Sequence, residues 1–390
     1  MRRKSDAVVF IGMVYPWGII RHFALLGIEL AKACGDFDYF FASISRAPDK
    51  GAWELVKGAI TSGAIIETTT FAELVEACEK LFANHDRVLI HCGGGWGQTK
   101  AFIPLRKKFG KRLILVGTTH SYHIDSPMRI PMSALQSLLY LRYYDKIVFQ
   151  CQYAADQFWG ARMLFAAKKG IVIPLGCEPF ENVLPEPPIG IAANDKLIPA
   201  LQNEGLFKFV YLGGFRPGKK HVWLVHAIAS VLRRHPQARV LFCGTGDSAV
   251  IEATAAAIRE EKMEQQILVV GQVARQEVPW LLTHSNCAVV SSRAETFGHN
   301  FLEPMFAGLP VLGTRVGIGR DIIKDRETGM GFSLGSPKSL QRAADYILSN
   351  PDGTRRMGAA AKKLVEHRFR HSDVAEQLVS LYGALLEKSV

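Results

Sequence analysis

Short apolar runs alternate along the chain with longer stretches whose apolar side chains recur at three- and four-residue spacing, as in parallel strands joined by crossover helices. The predicted class is therefore α/β. Strands are predicted at Val8–Gly12, Tyr39–Ser43, Ala64–Glu67, Arg87–His91, Leu113–Gly117, Lys146–Gln150 and Ile171–Pro174, with helices over Ile20–Ala33 and Ser133–Tyr144. The stretch Glu178–Gly205 changes character, because Pro179, Pro185, Pro187, Pro188 and Pro199 interrupt regular elements and Gly190, Asn194 and Asp195 supply turns. A second alternation follows at Phe207–Gly213, Arg239–Gly244, Ile267–Gly271, Cys287–Ser291 and Pro310–Thr314. Residues 1–177 and 207–370 are thus read as two Rossmann-like parallel-sheet domains facing across a cleft, with a connection at 178–206. The segment 371–390 carries a last helix, Ser372–Glu387, that can pack on either half, back on the N-terminal domain included.

At 390 residues and 48% hydrophobic positions the chain can bury large cores, while its apolar runs stay short of the about 18 residues that cross a bilayer. Seven widely spaced cysteines without a CxxC pair argue against a disulfide framework or a zinc site and for a reducing cytoplasm. Net charge is +11, and residues 1–176 hold +8 of it, from 22 basic and 14 acidic side chains. Between Arg87 and Ile124 stand Arg87, Lys100, Arg106, Lys107, Lys108, Lys111 and Arg112 with no acid. Such a face suits an anionic membrane or a phosphorylated acceptor, or is simply a solvated helix flank. Without interleaved aromatic residues, no nucleic-acid partner is expected.

Glycine-containing turns follow three strands of the second half, at Gly213-Gly214, Gly244-Thr245-Gly246 and Gly271, where backbone can approach a ligand or merely turn tightly. No GxGxxG/A dinucleotide fingerprint or GxxxxGK[ST] phosphate loop is complete, so a nicotinamide cofactor is disfavoured. The segment from Ser291 to Val311 is the richest in chemistry. Glu295 lies in a polar loop, Gly298 permits close approach, and a helix is expected to open near Asn300, its free amides at Phe297, Gly298 and His299 facing an anion such as a diphosphate. Glu303 can hold the vicinal hydroxyls of a ribose and Glu295 a sugar, although acids are favoured near helix starts in any case.

Glu295 and Glu303, with Gly298 between and Ala307-Gly308-Leu309-Pro310-Val311 after, resemble the E-x7-E signature of retaining glycosyltransferases of family 4, which have the GT-B fold. In the same order, Tyr211-Leu212-Gly213-Gly214 with Pro217 and Lys219 resembles that family's first donor-domain strand and phosphate loop. Val240–Gly246 is similar to its glycine-containing second strand, and Val269–Val273 to the strand before the base-binding loop. In the first half, Pro16-Trp17-Gly18 with His22 resembles the glycine loop, and His91 and Thr119-His120 resemble two family histidine positions. Gly214 stands where the family has Arg, a role Arg216 is expected to take over. Pro304 replaces a common Ala and is expected to fit only in a first helical turn; Leu175 replaces Asn and Ser121 replaces Asp.

The resemblance implies transfer of a sugar from a nucleotide diphosphate to an acceptor hydroxyl with retention. Glu295, His120 and Lys219 are the expected catalytic residues. Gly18, Gly214, Arg216, Lys219, Gly244, Gly246, Val273, Glu295, Phe297, Gly298, His299, Asn300 and Glu303 are expected around the donor, and Trp17, Trp96, His120 and Tyr122 around the acceptor. No cofactor or metal is expected beyond the nucleotide-sugar substrate, with a UDP-sugar favoured over GDP- or ADP-sugars. The acceptor is a carbohydrate, a lipid-linked or a small molecule, and the expected location is cytoplasmic, with peripheral contact at the inner membrane face. A nucleotide-sugar epimerase and a non-catalytic sugar-nucleotide-binding protein remain as alternatives.

Overall fold

A computed structural model describes residues 5–13, 20–44, 50–93, 95–119, 129–178 and 197–387. Trp17, Gly18, His120 and Tyr122 lie outside the described residues, as does most of the proline-rich connection. The chain forms two compact units, Met1–Cys177 with Phe369–Val390, and Glu178–Arg368.

The described part of the first unit holds a seven-stranded parallel sheet: β1 (Ala7–Met13), β2 (Asp38–Ile44), β3 (Ile65–Thr68), β4 (Val88–Cys92), β5 (Leu113–Thr118), β6 (Lys146–Phe149) and β7 (Gly170–Val172). Their order is β3-β2-β1-β4-β5-β6-β7. Near-continuous apolar strands follow from burial on both faces. Val8 and Phe10 face one core and Val9 and Ile11 the other. The helix His371–Glu387 belongs to this unit, and buries Val374, Leu378 and Tyr382 in the Val8 core with the helix Ile20–Ala33. His91 on β4 is saturated there, with Nδ1 2.5 Å from the Tyr382 hydroxyl and Nε2 2.6 Å from Thr118 Oγ1. It therefore ties the last helix to the sheet.

The second unit has a six-stranded parallel sheet: β8 (Phe207–Leu212), β9 (Ala238–Cys243), β10 (Ile267–Gly271), β11 (Cys287–Val290), β12 (Val311–Thr314) and β13 (Gly329–Phe332). The order is β10-β9-β8-β11-β12-β13. The strand order reverses between β8 and β11, and in open α/β sheets a ligand crevice lies beyond the carboxyl ends of the strands at such a point. The edge strand β13 escapes the sequence reading because Gly329 and Gly331 dilute its apolar pattern. The stretch read as a connection ends in the helix Leu197–Gln202, whose Leu201 is buried and whose carbonyl accepts from Lys208 Nζ at 3.1 Å. All seven cysteines are buried free thiols. Among the described residues, no helix is long and apolar enough to cross a membrane.

Candidate functional site in the second unit

The loop after β8 turns through Pro217–Lys219 and enters the helix His221–Arg234 with Lys220 at φ +59°. Two buried hydroxyls fix it. Tyr211 Oη and Ser291 Oγ donate to the Lys219 carbonyl at 2.9 and 2.8 Å, while the Arg293 amide donates to the Gly218 carbonyl at 2.8 Å. The loops after β8 and β11 are thereby laced together, and Lys219 Nζ meets the Glu295 carboxylate in an ion pair. Ser292 Oγ donates to the same carboxylate oxygen at 2.7 Å. Both charged side chains are mostly sunk, 21% and 14% exposed, so a polar pair is held at the switch point with its geometry set from behind.

The β12 loop clamps Glu295 from another side. Thr314 Oγ1 donates to the Ser292 carbonyl at 2.7 Å, and the Ile318 amide to the Phe297 carbonyl at 2.7 Å. Gly317 makes this approach at φ +55°, where a Cβ would overlap the Phe297 carbonyl oxygen and stand 2.8 Å from Glu295 Cβ.

Close approach between neighbouring turns accounts for two of the expected glycines. The Gly244 amide donates to Gly271 O at 2.6 Å, a Cβ on Gly244 would overlap Gly213 O, and one on Gly246 would overlap Phe215 O. Gly214 differs. A Cβ there would lie 3.1 Å from Thr245 O and 3.9 Å from Arg216 Nε, so the exposed Arg216 side chain passes over the position where the family pattern has Arg.

The helix His299–Phe306 starts one residue before the expected Asn300, with Gly298 as N-cap at φ +99°. Among the described residues, the buried side-chain amide atoms of Asn300 have no hydrogen-bond partner. Pro304 is not in the first turn, as the sequence reading required, but sixth in this eight-residue helix. It removes the helical donor to the Asn300 carbonyl. The helix ends two residues later, where the Gly308 and Leu309 amides bond to the Met305 and Pro304 carbonyls at 2.9 Å each, so the missing bond falls in its last turn. Glu303, 13% exposed, forms an ion pair with Arg275, which follows Val273 in the turn after β10. The sequence reading missed Arg275; its only signal was a cation beside the expected base-binding loop. Trp96 opens the helix Trp96–Phe109 of the first unit.

Beneath the Lys219 loop lies His221, buried, stacked on Phe215 at 4.3 Å between ring centroids and 4.5 Å from Tyr211. Burial, with the Lys219 charge second, lowers its pKa from 6.5 to about 4. The folded state thus keeps the ring neutral while the unfolded chain protonates it near pH 6.5. Its contribution is full above pH 6.5, falls as the pH drops toward 4, and is absent below; 2.5 pKa units correspond to about 3 kcal/mol. Urea unfolding between pH 7 and 4.5 should show an acid-side slope that His221→Phe flattens. An unchanged slope would remove His221 from the acid response.

Among the described residues, no group of three or more His, Cys, Asp or Glu side chains could hold a metal ion.

Residues 195–364 match the family described as Glycosyl transferases group 1. N-acetyl-alpha-D-glucosaminyl L-malate synthase of Bacillus anthracis is 27% identical over 179 residues, 45% of either chain. This chain therefore spans less than half the length of that curated relative. Two solved structures share the fold across nearly the whole chain. Anabaena HepE in complex with UDP has a TM-score of 0.75 at 14% identity, over 97% of this chain and 100% of that one. Sucrose-phosphate synthase from Thermosynechococcus elongatus has a TM-score of 0.72 at 20% identity, over 99% and 100%.

Proposed function

We propose that the chain, whose residues 195–364 match the group 1 glycosyltransferases, is an enzyme of that family with the GT-B fold, of family 4 type, and moves a sugar from a nucleoside diphosphate donor to an acceptor hydroxyl. The observation that carries this reading is the Lys219–Glu295 pair at the carboxyl ends of β8 and β11, beside the amino end of the helix His299–Phe306. As the glycosidic bond breaks, negative charge grows on the departing diphosphate and the sugar gains oxocarbenium character. The enzyme must stabilise the first without binding the ground state equally well.

Lys219 and Arg216 supply the cations, and the amides at Gly298, His299 and Asn300 supply oriented dipoles. When a diphosphate takes the Lys219 ammonium, Glu295 is released toward the sugar hydroxyls while Ser292 keeps its carboxylate in place. Glu303 is assigned to the ribose, with Arg275 holding its carboxylate in position. Reaction with retention, a donor phosphate oxygen taking the acceptor proton, needs no carboxylate nucleophile, and Glu295 is not given that part. HepE, in complex with UDP, favours uridine over guanosine or adenosine for the donor base. Acceptor recognition is assigned to the first unit, around Trp17, Trp96, His120 and Tyr122, in a cytoplasmic enzyme.

The non-catalytic alternative rested on the glycine at 214. The path of Arg216 over that glycine supports the enzyme instead, since a guanidinium reaches the same loop from two residues on. Arg216→Ala should lower kcat/KM about 10- to 100-fold, roughly 1.4–3 kcal/mol of transition-state stabilisation, with little change in melting temperature because the side chain is exposed. Turnover by this variant at the wild-type rate would remove Arg216 from the diphosphate site, whereas a wild-type protein that binds donor without turnover would return the chain to the non-catalytic reading.

A further inference from the structure

We propose that the helix Arg129–Tyr143 and the adjoining segment 159–168 of the first unit form a docking face for an anionic lipid surface. Among the described residues eight large hydrophobic side chains are exposed, and six of them, Met132, Leu135, Leu138, Trp159, Met163 and Phe165, belong to these two segments. Single exposed apolar residues are ordinary; such a concentration marks an interaction surface.

The helix is inverted relative to a soluble one. It turns Ser133, Ser137 and Tyr140 inward, while Leu135 and Leu138 stand 49% and 59% exposed. Its inner face is made for contact with the chain: Gly160 sits so close that its Cβ would overlap Ser137 Oγ, and Tyr140 stacks on Phe158. Trp159, between these two contacts, is 55% exposed. An indole beside leucines at a water boundary suits the headgroup level of a bilayer.

Charge decides between occupants. Arg142, Arg162 and Lys168 are exposed in these two segments, neither of which contains a carboxylate, while the neighbouring Lys169 donates its ammonium to the Leu141 and Tyr144 carbonyls. Two copies of such a face repel each other, whereas anionic headgroups attract it while the leucines and Trp159 enter the interface. The location differs from the Lys100–Arg112 run noted in the sequence. There Arg106 pairs with Asp145 at 2.9 Å, Lys108 pairs with Glu79, and Arg112 donates to the Phe82, His85 and Asp86 carbonyls, so these cations mainly hold the unit together.

The test is co-sedimentation of the full chain with phosphatidylcholine vesicles containing about 30% phosphatidylglycerol, against pure phosphatidylcholine, for wild type and Leu135→Ser/Leu138→Ser. Wild type should pellet with the anionic vesicles and be weakened by salt, and the double variant should bind about tenfold less. Absence of wild-type binding, or equal binding by the variant, overturns the proposal. So does a wild-type dimer in sedimentation velocity that the variant abolishes, since the face would then join two copies. Both proteins should give the same thermal shift with UDP, which keeps this result separate from the donor assignment.

Discussion

Lys219→Ala should reduce kcat/KM for the nucleotide-sugar donor about 100- to 1,000-fold, roughly 2.7–4 kcal/mol, the range found when one preorganised donor to a developing anion is removed. Tyr211 and Ser291 hold the Lys219 backbone through its carbonyl, so on the proposed reading only its ammonium has to move, from Glu295 to the diphosphate. The variant also leaves Glu295 mostly buried with Ser292 as its remaining partner in the pair, which should lower the melting temperature by a few degrees. Adding Glu295→Gln separates the two effects. The double variant should recover stability, because the unpaired carboxylate is gone, and should remain inactive. Recovery of turnover along with stability would mean that Lys219 acts only by neutralising Glu295.

Gly317→Ala should destabilise the second unit by about 2–4 kcal/mol and lower turnover about 100-fold. A Cβ at φ +55° costs roughly 1–2 kcal/mol by itself. Its overlap with the Phe297 carbonyl adds the loss of the Ile318 hydrogen bond, about 1 kcal/mol, together with displacement of the loop that carries Glu295. Gly335→Ala, whose Cβ would meet only Ser333 Oγ at 3.7 Å, is the matched control and should be nearly neutral. Thermal unfolding and donor turnover check both. A Gly317→Ala enzyme with wild-type activity would show that the β12 loop does not position Glu295.

Most strands of both sheets were legible because parallel strands buried on two faces are apolar along nearly their whole length, as β1 and β5 are, while β4 and β8 are interrupted only at His91 and Lys208. The edge strand β13 lacks it. Glu295 and Gly298 could be read from a polar loop at a helix start, and Lys219 joined them only through the resemblance of its loop to the family's phosphate loop. What those residues touch could not be read. Nothing in the pattern pairs Glu303 with Arg275, which lies 28 positions earlier and on another strand's loop. The Pro304 expectation failed because the helix stops two residues after the proline, so the break falls in its last turn and not in a continuing helix. Ser133 and Ser137 gave no warning that they face inward, since that side of the helix is set by contacts distant in sequence, the tight seat of Gly160 on Ser137 and the stacking of Tyr140 on Phe158.

Hydrogen-exchange mass spectrometry of the full chain with UDP, GDP and ADP tests the central assignment most directly, because it locates bound nucleotide without knowing the acceptor. One of the three, UDP by this account, should slow exchange in peptides spanning 213–220 and 294–303, and Lys219→Ala should erase that protection. Binding without protection of those two loops, or protection unaffected by Lys219→Ala, would place the diphosphate elsewhere and contradict the account.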